Sequence, residues 1–301
     1  MKWKKFLIIL MSAVMIFTLT ACGSDSEKTA ATDDKSVIKI GMLKYLNAGE
    51  LEFNSFMEKI AETFSLKMPR HEVIFFDNLN SMQMAFEAGQ IDEISTYQCV
   101  AEYIDARNAN FGILKDHTME FVDAFCLAMR EKDQDLYKQV DDTVKSMCDD
   151  GTLERLTKQY ITDLKVGEEP DAVEIQHFDG AETIKVAITG DLPPLDLVLA
   201  DGKAAGFNTA VLSEIGKRLN KNIEFVQIES AARAAALESG RVDISFWAIV
   251  PISEIIPADA DKPEGIILST PYYRGKIVHL GWGADVQHDA SLNKVVDGLN
   301  Q

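Results

Sequence analysis

Apolar residues in the first half of the chain form short runs separated by sets at helical spacing. The run "VIKIGM" at 37–42 predicts a strand, the apolar set within 53–64 predicts a helix, and the run "EVIFF" at 72–76 predicts a second strand. A short helix before Gly89 and a strand after it complete the set. Strands that alternate with helices at these lengths predict parallel pairing with right-handed crossovers.

The same order of elements returns from Thr183 onwards, with the strand "TIKVAI", a helix that begins at Phe207, the strand "IEFVQI", a short helix and a further strand. The segments "FEAGQIDEIST" and "LESGRVDISFW" both carry Gly-x-x-Asp between helix and strand, at Gly89 and at Gly240. Glycine readily adopts the left-handed conformation that ends a helix. We interpret the two halves as an internal repeat.

Composition divides the chain further. Residues 166–182 carry one proline, two glycines and six acidic residues without a period, which predicts a linker. We expect one α/β lobe from 37–165, whose last part is two amphipathic helices, a second lobe from 183–285, and a tail over 286–301. Ligands bind outside the carboxyl ends of the strands in open α/β sheets. The predicted fold is therefore α/β, with two open lobes that face each other across a ligand cleft.

The N-terminus has the features of an export signal. Lys2, Lys4 and Lys5 precede an apolar stretch over 6–19 that is short for a membrane span, so we interpret residues 1–21 as a signal peptide. The sequence "LTAC" resembles the bacterial lipobox, in which Cys22 becomes the lipid-modified first residue. Residues 22–36 are small and polar and predict a flexible tether.

The charge of the chain restricts its partners. The formal net charge is -18, and loss of the three signal-peptide lysines would take it to -21. A chain this acidic does not attract nucleic acid or anionic lipid. We therefore expect attachment to the membrane through the lipid anchor only.

Few residues suggest catalysis or metal binding. The five histidines are dispersed without metal-type spacing, and neither a nucleophile elbow nor a phosphate-binding glycine loop is present. Cys99, Cys126 and Cys148 favour buried thiols, although one pair could form a bridge. We predict no enzymatic activity, no cofactor and no metal.

Several motifs of the second half resemble the first lobe of bacterial extracellular solute-binding proteins of family 3, the receptors of polar amino-acid ABC importers. These motifs are "DLPPL" at 191–195, "ADGKAAGFN" at 200–208, "SGRVD" at 239–243 and "STPYY" at 269–273. The resemblance covers about 100 residues, and residues 130–160 are similar to the helices that close such proteins. It implies a periplasmic-binding-protein-like fold of type II, with a small polar solute and an ABC permease as partners.

The sequence departs from the family in two places. Family members carry Thr-x-x-Arg after the third strand to clamp a carboxylate, whereas this chain has "VPISEIIPAD" at 250–259, without arginine. The second half also stops near Trp282, where the family enters its second lobe. We expect the first half to supply that lobe.

The candidate ligand-binding residues follow predicted strands. They are Asp191, Pro194, Arg233, Phe246, Trp247, Tyr45 and Thr96. Arg233 is either a cation presented to a carboxylate at the first turn of a helix or a solvated surface charge. Phe246 and Trp247, placed after the third strand, either stack on the ligand or belong to the core. Arg274 is a weaker candidate.

The remaining candidates have structural alternatives as well. Asp191 and Pro194 either form a stiff loop at the cleft mouth, as the resemblance implies, or end a strand. In the first half, Tyr45 offers an aromatic face and a hydroxyl group and Thr96 offers a hydroxyl group. Alternatively, both side chains belong to the core.

Together these observations predict a lipid-anchored solute-binding protein at the outer face of the bacterial cytoplasmic membrane. It would capture an amino acid or related carboxylate and deliver it to an ABC permease. The alternatives are a membrane-tethered sensor that uses the same cleft, and a dehydratase of related fold.

Overall fold

The computed structural model describes residues 37–44, 71–114, 122–165, 167–249 and 264–282. Several predicted features lie outside these residues, namely the signal peptide, Cys22, the tether, Tyr45, the helix within 53–64 and the tail. Among the described residues, no helix combines the length and apolar character needed to cross a membrane.

The described α-helices, apart from the one at 98–107, fall where the apolar spacing predicts them. They are α1 (Leu79–Glu87), α2 (Gln98–Arg107), α3 (Gln134–Asp149), α4 (Thr152–Thr157), α5 (Phe207–Leu219) and α6 (Arg233–Glu238). The side chain of Asn78 accepts a hydrogen bond from the amide of Ser81 and so caps α1. Gly151 separates α3 from α4 with φ of 77°, a conformation that favours glycine.

The described strands include the predicted runs and further segments of the chain. They are β1 (Ile38–Leu43), β2 (His71–Phe76), β3 (Glu93–Tyr97), β4 (Phe111–Ile113), β5 (Val122–Arg130), β6 (Thr183–Ile188), β7 (Asp191–Leu192), β8 (Asp196–Val198), β9 (Ala204–Ala205), β10 (Asn222–Gln227), β11 (Ile244–Ile249), β12 (Ile266–Leu268) and β13 (Tyr273–Trp282). Strands β7, β8 and β9 form a small separate sheet.

The main sheet contains two sets of parallel strands joined by antiparallel ones. Its order is β10-β6-β11-β5-β13-β3-β1-β2, with β12 beside β5 and β4 beside β13. Strands β1, β2 and β3 are parallel, as are β6, β10 and β11. Strands β5 and β13 pair antiparallel with each other and with their other neighbours. We call the first set and its covering helices the first lobe, and the second set with its helices the second lobe.

Each half of the chain contributes one strand to the other lobe. Strand β5 belongs to the first half but pairs with β11, and β13 belongs to the second half but pairs with β3. Helices α3 and α4 follow β5 to the second lobe, where Arg218 of α5 bonds Asp150 at 2.8 Å and Thr152 Oγ1 at 2.8 Å. Strand pairing thus groups the chain differently from the predicted division at residue 165, because the chain changes lobe before β5 and again before β13.

The predicted linker is attached to both lobes. Gly167 accepts a hydrogen bond from Nε of Arg107 in α2, at 3.0 Å. Further along, the amide of Val173 donates to the carbonyl of Ala204 in β9, at 3.0 Å. The part of this segment that the structure describes thus contacts the first lobe at its start and the second lobe beyond it.

The same local arrangement occurs in both lobes at the two glycine turns. Gly89 and Gly240 have φ of 68° and 75°, as the sequence predicts. After each turn an aspartate accepts a hydrogen bond from the amide of the first strand. The distances are 2.7 Å from Lys39 N to Asp92 and 3.0 Å from Lys185 N to Asp243. These carboxylates attach the third strand of each lobe to its first strand.

Replacement of Asp243 tests this attachment. Asp243→Ala is expected to lower the free energy of unfolding by about 2 kcal/mol, because it removes the bond from Lys185 and the charged bond from Arg130. Asp92→Ala is expected to cost about 1 kcal/mol, since Asp92 is exposed. Urea unfolding measures both. A change of about 0.5 kcal/mol or less in Asp243→Ala, equal to that of the exposed Glu238→Ala control, would contradict this role.

Candidate functional site

The carboxyl ends of the two parallel sets approach each other along the joining strands. Strand β3 ends at Tyr97, opposite Ile277 of β13. Strand β11 ends at Ile249, opposite Ala124 of β5, which in turn lies opposite Arg274 of β13. The two sets therefore arrive from opposite directions at positions 274–277 of β13. Ligands bind at this end of open parallel sheets, so the candidate site lies between the lobes here.

Among the described residues, three hydrogen bonds join the lobes directly at these ends. The amide of Asn80 donates to Oδ2 of Asp191 at 3.2 Å. Nδ2 of Asn78 donates to Oε2 of Glu229 at 2.9 Å. The amide of Ser230 donates to the carbonyl of Asp77 at 3.0 Å. Each bond pairs the segment 77–80, where β2 leads into α1, with a segment of the second lobe.

Asp191 lies at the amino end of α1. The free amides of a first helical turn favour negative charge, and the amides of Leu79 and Asn80 stabilise this carboxylate. Burial nevertheless raises the pKa of Asp191, with a smaller contribution from the nearby Glu229 charge. Its Oδ1 is buried and has no hydrogen-bond partner within the described part of the chain.

The loop that carries Asp191 is held by a second, fully buried carboxylate. Asp196 is 1% exposed and accepts 2.8 Å bonds from Oγ1 of Thr189 and from the amide of Gly190. Burial raises the pKa of Asp196, and the Arg233 cation and these two donors oppose the rise. The arrangement fixes the turn between β6 and β7.

Arg233 is a buried cation at the same end of the second lobe. It is 4% exposed, so the surface-charge alternative is wrong. Its guanidinium donates to the carbonyl of Phe246 and to Oγ of Ser230, each at 3.3 Å. Its buried Nε finds no hydrogen-bond partner among the described residues. A buried donor without a partner is costly, which makes this atom a candidate for contact with a ligand.

The two aromatic candidates lie inside β11 rather than after it, because the strand continues to Ile249. Trp247 is buried with Leu237, Val242 and Ile266 in the core of the second lobe. The side chain of Phe246 is buried in the main core. The structure thus favours the core alternative for both rings.

Pro194 and Thr96 are also buried. The carbonyl of Pro194 accepts the amide of Phe207 at 2.9 Å, and its peptide bond with Pro193 is cis. Oγ1 of Thr96 is buried and has no hydrogen-bond partner in the ranges described. Thr96 lies next to Tyr97 at the end of β3, on the first-lobe side of the candidate site.

Aromatic rings connect the lobes beneath the site. The ring centroid of Phe125 in β5 lies 4.6 Å from that of Tyr97 and 5.2 Å from that of Tyr273. The ring centroids of Phe207 and Tyr273 are 5.1 Å apart. A side chain at Gly275 would approach the Phe125 ring to 2.7 Å, so only glycine fits there. Arg274 is exposed.

The three described cysteines are free thiols. Cys126 is buried as expected, but Cys99 is half-buried and Cys148 is exposed, so the prediction of three buried thiols holds for Cys126 alone. Burial raises the pKa of Cys99 and of Cys126 to about 12, which makes both poor nucleophiles.

Sequence reasoning missed the residues that contact across the lobes, namely Asp77, Asn78, Asn80, Glu229 and Ser230. One signal was present, because "DNLNS" after a predicted strand carries the Asn that caps a following helix. No local pattern marks Glu229 and Ser230 as partners of that turn.

A separate cavity of ≈ 850 Å³ opens at the opposite end of the second-lobe strands. It is lined by Arg130, Asp133, Gln139, Glu182, Thr183, Lys221, Asp243 and their neighbours. The Arg130 guanidinium is engaged there by Asp133, Asp243 and the carbonyls of Leu237 and Val242. Lys221 is paired with Glu182 in the same way. Because these charges are already paired within the protein, we place the candidate site at the meeting strand ends instead. The described residues contain no cluster of potential metal ligands.

This architecture confirms the predicted α/β class, with two sets of parallel strands joined by antiparallel ones. Residues 184–254 match the family described as bacterial extracellular solute-binding proteins, family 3. The match confirms the resemblance over the segment that carries β6, α5, β10, α6 and β11. No curated protein matches the chain by sequence.

Several solved structures are similar to the chain at low identity. The ligand-binding component of an ABC-type import system from Staphylococcus aureus, with zinc bound, has a TM-score of 0.44 and 14% identity, over 86% of this chain and 70% of that one. A periplasmic substrate-binding protein of an ABC transporter from Coxiella burnetii has a TM-score of 0.41 and 13% identity, over 88% and 92%. A histidine kinase sensor domain with similarity to periplasmic binding proteins has a TM-score of 0.41 and 12% identity, over 89% and 92%. Similarities this low carry no argument about function.

Proposed function

We propose that the chain is a solute-binding protein that captures a small zwitterionic or anionic metabolite between its lobes and delivers it to an ABC permease. The family match over 184–254 supports the class of function. Buried Arg233, at the carboxyl ends of the second-lobe strands, is the observation that carries the proposal. A binding protein of this kind releases its ligand unchanged, so no turnover is expected.

The chemistry of the unsatisfied atoms supports the ligand class. Nε of Arg233 is a cationic donor, and Oδ1 of Asp191 is an acceptor. A ligand carboxylate would satisfy the first group, and a ligand ammonium or hydroxyl group would satisfy the second. An amino acid or a related carboxylate presents such groups on a small skeleton. Arg233 would then replace the arginine that the segment 250–259 lacks.

A thermal-shift screen of amino acids, dipeptides, organic acids and cyclic metabolites tests the proposal. A ligand at one hundred times its dissociation constant adds about 2.7 kcal/mol to stability, which is readily detected. For a carboxylate ligand, Arg233→Ala is expected to weaken binding by about 2 kcal/mol or more, because a charge-assisted bond is lost. Titration calorimetry on the folded variant measures the change.

Arg274→Ala is the matched control, since that arginine is exposed. It is expected to bind almost as tightly as the parent. Equal affinity of the Arg233→Ala variant and the parent would exclude Arg233 as the carboxylate site. Conversion of the bound compound into a product would favour the enzyme alternative.

We further propose that the mature chain begins at Cys22 and is held by a lipid at the outer face of the cytoplasmic membrane. The "LTAC" sequence supports this, and diacylglyceryl modification makes such attachment durable. Cys22→Ser is expected to leave an unprocessed precursor or a freely soluble product after cell fractionation. A Cys22→Ser product that is processed and stays in the membrane fraction during a detergent-free wash would rule out the lipid anchor.

A further inference from the structure

The contacts between the loops at the strand ends are made by the chain itself. Asp191 accepts from the amide of Asn80, Glu229 accepts from Asn78, and Ser230 donates to Asp77. Each bond has one partner in each lobe. Separation of the lobes must therefore break all three together.

The first-lobe side of this contact is organised as a helix start. Asn78 uses its Oδ1 to cap α1 and its Nδ2 to reach Glu229, so one side chain serves both the helix and the contact. The carboxylate of Asp191 accepts hydrogen bonds from amides of the same turn, which have no partner within the helix. When the lobes separate, water replaces Asp191 as the hydrogen-bond partner of these amides.

Hydrogen bonds within the second lobe hold its side of the contact in place. Asp196 fixes the turn that carries Asp191 through Thr189 and Gly190. Arg233 holds Ser230 from within the lobe. The side chain of Gln227 donates to the carbonyl of Thr189 at 2.9 Å and links the two loops. Contact groups that are already positioned lose little freedom when the lobes meet.

We propose that Asp191, Asn78 and Glu229 form a polar latch that holds the lobes together independently of any ligand. The latch acts on the equilibrium between separated and joined lobes. Since a ligand between the lobes binds the joined form, the strength of the latch also sets the apparent affinity of the protein. The latch concerns the protein alone, and its test needs no ligand.

The distance between two spin labels measures the equilibrium directly. In the Cys22→Ser chain, Glu87→Cys places one label at the exposed end of α1, and the exposed Cys148 carries the other on the second lobe. Cys99 and Cys126 have pKa values of about 12 and are expected to stay unlabelled. Mass spectrometry of the labelled protein checks this. The parent is expected to give one narrow distribution of distances.

Asp191→Ala combined with Glu229→Ala is expected to raise the ratio of separated to joined lobes about tenfold, because a helix cap and a side-chain hydrogen bond are lost. The distribution should become longer and broader. Asp191→Asn should stay near the parent, since an amide oxygen also accepts from helix amides. Asp201→Ala, an exposed change in the same lobe, is the control.

Glu229 is exposed, so Glu229→Ala alone is expected to fold normally and to shift the distribution in the same direction, though less. A double variant whose distances equal those of the parent would overturn the latch. An equal shift in the Asp201→Ala control would also overturn it. Neither result bears on whether a ligand binds at Arg233.

Discussion

The antiparallel pairing of β5 with β13 is the constraint on which the rest of the structure depends. Each strand comes from one half of the chain and completes the sheet of the other lobe. The exchange makes the halves mutually dependent, because removal of either half would expose an unpaired strand edge in the other. Because these pairings are antiparallel, the parallel strands of one lobe run opposite to those of the other. The carboxyl ends of both parallel sets therefore meet, and a site that uses both becomes possible.

Charged side chains are buried at this meeting point. Arg233 and Asp196 are almost completely buried, and Asp191 accepts a hydrogen bond from the first turn of α1. Burying charges is costly unless they are paired, and proteins keep such groups chiefly where they act. Here Asp196 and Arg233 hold the two loops of the second lobe, and each loop in turn bonds the first lobe. The groups that would recognise a ligand and the groups that join the lobes thus belong to one network.

Local features of the fold were predictable from the sequence, whereas contacts between distant segments were not. The parallel strands and most helices follow from apolar spacing, whereas α2 and the small sheet of β7, β8 and β9 were not predicted. The turns at Gly89 and Gly240 follow from glycine. The matching carboxylate bonds of Asp92 and Asp243 support the internal repeat, which stays a prediction. The exchange of β5 and β13 was missed because a buried strand has the same apolar pattern whichever lobe it joins. Trp247 was misplaced because its strand extends two residues beyond it, so the ring lies in the core.

The central claim is that one site uses the strand ends of both lobes, and amide hydrogen exchange with and without the ligand from the screen tests it most directly. The account predicts that ligand slows exchange at residues 77–80 and at residues 228–230 together. These loops belong to different lobes and contact each other across the site. Slowing confined to one lobe, or located at residues 182–184 beside the opposite cavity, would contradict the account.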